Sequence, residues 1–327
     1  MSKKIILDIL TQSPLYFYET SGKGVNYIFK TPIVVNGMRS QVPYIPGNSF
    51  RGRIRRKLAQ FIMDNWVEQG ETIPVELYVG LNAGAASASN EAANINAKIL
   101  KEAQDNPYMG LMGGGKYLVR SGIQAGFGFP VCRETVGAGL VDVDEDAIPV
   151  IMKDGEYIPA SARDLIGYYQ FIRKDDLMSM TDPDRARVVI DGGDEAIIEY
   201  QASVLEGRKS RKETGGTKED VSNMMTFEAI VPGVHLQSEI NLLPHMTETH
   251  LGALMVALEA MASEGQLGGK TAAGFGKVRI TATLDEDGER TELIGEDGLT
   301  DKGAFLLETG RQALVVLDPE QMKSYFV

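Results

Sequence analysis

The chain has almost no cysteine: Cys132 is the only one among 327 residues. A single thiol excludes a disulfide framework and any zinc site built from several cysteines. The three histidines include His245 and His250, which lie five positions apart and do not form the HExxH motif of zinc proteases. No nucleophile is accompanied by a base and an orienting group. We therefore expect no catalytic residue, no metal site and no cofactor.

Long apolar runs are also missing. None approaches the ~20 residues that a membrane-spanning helix needs. The apolar N-terminal stretch is interrupted by Asp8, which makes it too short for a signal peptide. With a single thiol suited to a reducing compartment, these absences predict a cytoplasmic protein without membrane contact.

Acidic residues are absent from one segment of an otherwise acidic chain. The net charge is −12, but residues 21–63 hold eight basic residues and no Asp or Glu. The other 284 residues hold 25 basic and 45 acidic ones, and residues 285–301 carry eight acids against Arg290 alone. Such asymmetry predicts one surface for a polyanion on a body that repels it elsewhere. Chance clustering on a solvated face is the alternative.

The basic segment contains the first long helix. Two prolines in residues 43–47 exclude helix there, and Asn48 or Ser49 is a suitable N-cap for a helix that runs to about Gln69. Apolar residues recur at helical spacing along it and predict a buried stripe.

Two arginines, Arg51 and Arg55, fall on the same side of this helix as the apolar stripe. A cation there faces packed protein and also opposes the positive end of the helix dipole. A bound phosphate would neutralise the guanidinium groups and accept hydrogen bonds from the first N–H groups of the helix. Pairing with the protein's own carboxylates is the alternative.

Two glycine-rich turns each place backbone N–H groups beside a lysine, as a phosphate site requires. The candidate phosphate contacts are Gly113, Gly114, Gly115 and Lys116 in the first turn and Gly269, Lys270 and Thr271 in the second. Taken singly, either is better explained as a tight turn than as a ligand site. The second is not a P-loop, because Glu264 occupies the position of the first glycine and no hydrophobic strand precedes it.

A polar, basic insertion occupies residues 206–226 and returns directly into a strand, which predicts a protruding hairpin. Its candidate nucleic-acid contacts are Arg208, Lys209, Arg211 and Lys212, together with Met224 and Met225 at its base. Unbranched methionines can wedge between bases. A place in the core at the start of a strand is the alternative.

The coarse pattern of elements predicts an α+β fold. Clean alternation predicts a strand over Val234 to Leu243, and an amphipathic helix over Thr249 to Glu264 follows it. We expect an acidic loop over residues 285–301 and a last strand over Ala313 to Leu317.

Two segments resemble one known family. Pro43 to Arg55 (PYIPGNSFRGRIR) is similar to the IPGSSL(K/R)GxLR segment of the RAMP superfamily of CRISPR-associated proteins, and Gly268 to Val278 (GGKTAAGFGKV) to its glycine-rich signature. The order of elements also matches, with an insertion before a strand that contains Val231-Pro232-Gly233. Within the superfamily, the resemblance is to the multi-copy backbone subunits of type IV and type III complexes.

The resemblance implies a single domain over residues 1–327 with a ferredoxin-like, RRM-related core. Insertions would shape it as a right hand with a palm and a thumb hairpin. Copies would stack along a CRISPR guide RNA, present it to a complementary target nucleic acid and contact other effector subunits. By position, Asn48, Ser49, Arg51 and Arg55 become palm contacts to phosphates, with both glycine turns nearby, and residues 206–226 become the thumb.

One position departs from the family pattern. Target-cleaving type III subunits carry an aspartate before a small residue and a proline in the first polar loop, where this chain has Lys30 before Thr31-Pro32. A lysine cannot act as a carboxylate base or metal ligand. The expected function is therefore RNA binding without cleavage. The alternatives are a type III-like subunit that cleaves target RNA through another acidic residue with a metal, and a nucleotide-binding enzyme.

Overall fold

The computed structural model describes residues 3–22, 24–84, 97–153, 155–173 and 223–326, with 195, 196 and 199. The chain divides into two compact units. The larger comprises Met1–Thr20, Tyr27–Gly167 and Glu228–Val327, and the smaller comprises Ser21–Asn26 and Tyr168–Phe227. The expectation of a single domain stays a prediction.

The described strands and helices confirm the α+β class. The strands are β1 (Lys3–Thr11), β2 (Tyr18–Gly22), β3 (Val25–Ile28), β4 (Lys30–Val35), β5 (Met38–Pro43), β6 (Ile123–Ala125), β7 (Phe129–Pro130), β8 (Val150–Lys153), β9 (Glu156–Pro159), β10 (Ile166–Arg173), β11 (Asn223–Ile230), β12 (His235–Leu242), β13 (Val278–Glu286), β14 (Glu289–Gly295) and β15 (Gly298–Leu299). The α-helices are α1 (Gly47–Glu68), α2 (Val75–Ala83), α3 (Ala97–Asp105), α4 (Met109–Met112), α5 (Arg133–Gly137), α6 (Glu248–Glu264), α7 (Asp301–Val315) and α8 (Pro319–Phe326).

The larger unit is organised around an antiparallel sheet with the order β15-β14-β13-β1-β12-β6, and β7 also pairs with β12. β1 therefore lies between β12 and β13. Helix α1 lies in the chain between β1 and β6, and α6 lies between β12 and β13. Two separate hairpins, β4-β5 and β8-β9, also lie in the larger unit.

Alternation along β1 explains which face of this sheet is buried. Ile5, Leu7 and Ile9 are at most 1% exposed. Ile5 pairs with Ile240 on one side and Leu284 on the other, so apolar residues from three strands share this face. The strand predicted at Val234 to Leu243 is confirmed as β12.

Helix α1 presents the predicted apolar stripe, since Ile54, Leu58, Ile62 and Trp66 are all at most 1% exposed. Helix α6 packs against it and against β13. The predicted N-cap of α1 is wrong: Pro46, in extended geometry, holds that position. The helix begins at Gly47 because the Ser49 N–H already donates to the Pro46 carbonyl at 2.9 Å.

Helix α6 confirms both of its predicted ends within one residue. Thr247 is its N-cap, joined to His250 in a reciprocal capping box. Gly265 ends it in the left-handed region, with φ 59°.

Two expectations near the C-terminus are wrong. Residues 285–301 form no acidic loop but mainly the end of β13, β14 and β15, and β14 buries Leu293 and Ile294 where its pairing with β13 shifts register. Most of the strand expected at 313–317 lies in α7, whose Leu306, Gly310 and Leu314 are buried at helical spacing.

The smaller unit contains most residues of a second, four-stranded sheet, whose strand order is β10-β11-β3-β2. Within it Thr226 and Phe227 of β11 pair in parallel with Val25 and Asn26 of β3. Phe171 meets Phe227 edge-on, with 5.5 Å between the ring centroids. No helix among the described residues of the chain is long and apolar enough to cross a membrane.

Candidate functional site

A groove of about 580 Å³ in the larger unit brings the start of α1 next to the second glycine turn. Its lining consists of aromatic residues, the first turns of α1 and the turn itself: Phe17, Tyr18, Phe29, Ile45, Pro46, Asn48, Ser49, Phe50, Gly52, Arg53, Arg56, Leu267, Gly268 and Gly269. The lining therefore combines apolar and aromatic residues with cations beside a helix N-terminus.

The groove-facing side of α1 is set by helical spacing. Ser49, Gly52, Arg53 and Arg56 lie at i, i+3, i+4 and i+7, which places them on one face. The first turn of α1 contains no acidic residue and no side-chain cap. No residue of that turn therefore compensates the positive end of the helix dipole. An uncompensated helix N-terminus favours the binding of an anion.

The two groove arginines differ in how they are held. Arg53 donates to Glu264 at 2.5 Å and to the Gln266 carbonyl at 2.8 Å, so the end of α6 fixes it. Lys57 also pairs with Glu264, at 3.1 Å. Arg56 is exposed, and no carboxylate of the described chain pairs with it. Glu264 thus pairs with two of the three cations Arg53, Arg56 and Lys57, and the balance of these four charges is positive.

The second glycine turn forms part of the groove through its shape. Gly268 has φ +77°, and a Cβ atom there would collide with the Tyr16 carbonyl oxygen. The predicted role of the Gly269 N–H as a phosphate donor meets an obstacle, because that N–H donates to the Tyr16 carbonyl at 2.9 Å. Lys270 and Gly269 are exposed, whereas Thr271 begins a short 3-10 turn.

The opposite side of α1 holds Arg51 and Arg55, which do not line the groove. Arg55 is 5% exposed. It donates to the carbonyls of Met112 at 2.8 Å and Gly113 at 3.3 Å and to the Tyr108 hydroxyl at 3.3 Å. Arg51 donates to the same Met112 carbonyl at 2.7 Å. Arg55 is therefore an internal anchor, and its expected contact with phosphate is not available in this arrangement.

Burial and charge shift the pKa values of this cluster. Burial, and then the neighbouring Arg55 charge, lower the pKa of Arg51. Burial raises the pKa of Tyr108 to about 12, against the opposing effect of the arginines. The Tyr108 hydroxyl is neutral and donates to the Leu81 carbonyl.

The first glycine turn is closed by the protein itself. The N–H groups of Gly113, Gly114, Gly115 and Lys116 donate to the carbonyls of other residues, at 2.7 to 3.2 Å. Gly113 and Gly115 are buried. The tight-turn interpretation fits these contacts, and the expected cradle of open N–H groups is not formed.

Lys30, which stands where the family resemblance expects an aspartate, forms an ion pair. Its Nζ lies 2.5 Å from Oε1 of Glu228, a residue with 0% exposure. The other Glu228 oxygen accepts the Ile28 N–H at 3.2 Å. Among the described residues, no group of three or more His, Cys, Asp or Glu side chains is placed to hold a metal ion.

Most residues of the insertion at 206–226 lie outside the described residues. Arg208, Lys209, Arg211 and Lys212 lie outside the described residues, as does the Met224 side chain. Met225 lies in β11 and is 38% exposed. The thumb assignment stays a prediction.

Sequence reasoning missed Arg53, Arg56, Phe29 and Gly268 as groove residues. The signal was available for the arginines, since they share a helical face with Ser49, which was a candidate. No local pattern pointed to Phe29, because its place in the groove depends on long-range packing.

Comparisons with known proteins give one structural similarity. No protein-family model matches the chain, and no curated protein matches it. A solved chain described as "Type IV-B CRISPR Complex" is similar to it with a TM-score of 0.48 and 18% sequence identity, covering 88% of this chain and 92% of that chain. At these values the similarity does not assign the chain to a family.

Proposed function

We propose that the chain is a non-catalytic, guide-RNA-binding backbone subunit of a CRISPR effector complex, present in several copies along the RNA. The observation that carries the proposal is the groove whose lining combines the uncapped start of α1, Arg53 and Arg56 with aromatic residues. Cations beside aromatic rings suit a single-stranded nucleic acid, which presents phosphates and bases together. The similarity to a solved chain of a CRISPR complex agrees with the proposal but does not carry it.

The order of the central strands supports a ferredoxin-like core. Reading β1, β6, β12 and β13 as strands one to four gives the spatial order four-one-three-two, with a helix after the first and after the third. This matches the split βαβ arrangement, and RRM domains that bind RNA use the same plan. The family resemblance of the sequence implies that core.

The contacts of Lys30 support binding without cleavage. Its ammonium group pairs with the buried Glu228 carboxylate, so the position offers no acid and the neighbouring Glu228 is already paired. The partners that we propose are the guide RNA, its complementary target, further copies of the chain and other effector subunits.

Charge reversal on the groove face tests the proposal. Ser49→Asp places an acid in the first turn of α1, which favours the helix but repels phosphate. Combined with Arg56→Glu, it should remove co-purifying RNA from the folded full-length protein, measured by the ratio of absorbance at 260 and 280 nm.

The matched control is Arg311→Glu with Ser324→Asp, which makes the same charge change at exposed positions of α7 and α8. The control should retain RNA. RNA that stays on the groove variant would contradict the proposed site. Metal-dependent cleavage of RNA complementary to the guide would contradict the non-catalytic function.

A further inference from the structure

A series of ring contacts connects the groove residue Phe29 to an exposed aromatic residue outside the groove lining. Phe29 lines the groove, and its ring centroid lies 5.8 Å from that of Tyr44. Tyr44 in turn lies 4.7 Å from Phe127, with the planes tilted by 45°. Phe127 is 50% exposed and also meets Phe129 edge-on, with 5.9 Å between the ring centroids. We call Phe29, Tyr44 and Phe127 the aromatic ridge.

The backbone around Phe127 is fixed by close packing. Gly126 donates its N–H to the Glu239 carbonyl at 2.7 Å, and Gly128 exchanges two 2.9 Å hydrogen bonds with Ile45. A Cβ atom at Gly128 would come within 3.1 Å of the Phe50 ring. The chain therefore holds Phe127 between two residues that cannot easily carry side chains, and the phenyl group projects from a rigid support.

The same segment touches the start of α1. A Cβ atom on Gly47 would collide with the Ala125 carbonyl oxygen and come within 3.0 Å of the Gly126 carbonyl oxygen. Phe127 thus follows directly on the residues that contact the uncapped helix N-terminus. The backbone that leads to this exposed aromatic residue therefore contacts an anion-favouring helix end, and Arg56 lies on the groove face of the same helix.

We propose that Phe127 is a stacking platform for one unpaired nucleobase of the bound RNA, whose adjacent phosphate lies at the start of α1. The inference rests on the proposed function and adds to it a base contact. A nucleotide is the occupant that matches both features, because its phosphate is an anion and its base presents a flat π face. Since every base has such a face, this contact should be independent of sequence.

The test compares two labelled oligonucleotides that have the same backbone charge. Fluorescence anisotropy measures binding of full-length, RNA-stripped protein to a 12-nucleotide oligouridine and to an abasic oligoribonucleotide of equal length. Phe127→Ala should weaken oligouridine binding about tenfold, the size of one lost stacking contact. It should leave abasic binding and the salt dependence unchanged, because no phosphate contact is lost.

Phe305→Ala is the matched control, since Phe305 is 53% exposed on α7 and lies outside the groove and the ridge. It should leave both affinities unchanged. Phe127→Leu keeps an apolar side chain without a π face and should behave like Phe127→Ala, whereas Phe127→Trp should restore oligouridine affinity.

Phe127→Trp also gives a direct readout. Trp66 is the only native tryptophan and is 1% exposed, with its indole N–H bonded to the Leu317 carbonyl at 2.7 Å. The emission of the added tryptophan should be quenched by oligouridine and unchanged by the abasic strand.

The outcomes separate the two proposals. If wild-type protein binds neither strand, the proposed function fails and the stacking contact fails with it. If wild-type protein binds both strands but Phe127→Ala loses affinity equally for both, or for neither, the stacking contact alone is wrong. A change in oligomeric state without a change in RNA affinity would assign Phe127 to a protein interface and overturn the inference.

Discussion

The two sides of α1 carry the same residue type, but the structure uses it differently on each side. On one side Arg51 and Arg55 bind the Met112 carbonyl and anchor the helix to the first glycine turn. On the other side Arg53 and Arg56 line an open groove. Residue type and position near a helix start do not separate an anchoring arginine from one available to a ligand. The packing partner of each helix face does.

The largest expected effect lies outside α1, at the ion pair between Lys30, whose side chain is 24% exposed, and the buried Glu228. Lys30→Asp places a second carboxylate against Glu228, which has 0% exposure. Breaking a buried ion pair leaves an uncompensated charge, so we expect a loss of about 4 kcal/mol in the free energy of unfolding. Urea denaturation measures it. Lys30→Asp with Glu228→Gln should recover part of the loss, and unchanged stability of the single variant would contradict the ion pair.

The anchoring side is tested by Arg55→Met. Losing the guanidinium leaves the carbonyls of Met112 and Gly113 and the Tyr108 hydroxyl without this donor, so we expect the free energy of unfolding to fall by about 3 kcal/mol. Arg56→Met removes the same group from the exposed side and should change stability by less than about 0.5 kcal/mol. Equal midpoints of urea unfolding for the two variants would show that the two sides do not differ.

The floor of the groove is tested by Gly268→Ala. The native φ of +77° and the collision with the Tyr16 carbonyl should together cost about 2 kcal/mol of folding free energy. Gly139→Ala is the matched control, because Gly139 has φ +65° with no atom within 4 Å of an added Cβ. It should cost about 1 kcal/mol from backbone strain alone. Thermal unfolding compares them, and equal losses would remove the steric argument.

The smallest expected effect is a change in the salt dependence of RNA binding, and it concerns the groove side of α1 alone. Arg56→Ala should leave stability within about 0.5 kcal/mol and lower the slope of log affinity for RNA against log salt by about one. Arg51→Ala, on the other side of α1, should leave that slope unchanged. The salt titration is read by fluorescence anisotropy. A change of slope in Arg51→Ala that matches Arg56→Ala would erase the distinction between the two sides.

The sequence predicted the elements whose periodicity is long and regular. The apolar stripe of α1, the alternation of β12 and the extent of α6, predicted as Thr249 to Glu264, follow from residue spacing. The prediction of a strand at 313–317 was wrong, because a short apolar run fits a strand as well as a buried helix turn. Val315 and Val316 are in fact 39% and 77% exposed.

The candidate site was predictable only in part. The basic, acid-free segment and the second glycine turn do meet at one groove. Which arginines face that groove depended on where α4 and the first glycine turn pack, and no local pattern encodes a contact such as Arg55 to Met112, 57 positions apart. The Phe127 contact with Tyr44 likewise joins segments distant in sequence.

The Arg55 anchor has a consequence for the energetics of ligand capture. Arg53 precedes it by two residues and Arg56 follows it by one, so both groove cations lie within one helical turn of a point tied to the protein interior. The backbone that carries them is ordered before any RNA binds. RNA binding then costs little backbone conformational entropy at Arg53 and Arg56. Because this surface is preorganised, more of the free energy of each contact appears as binding affinity.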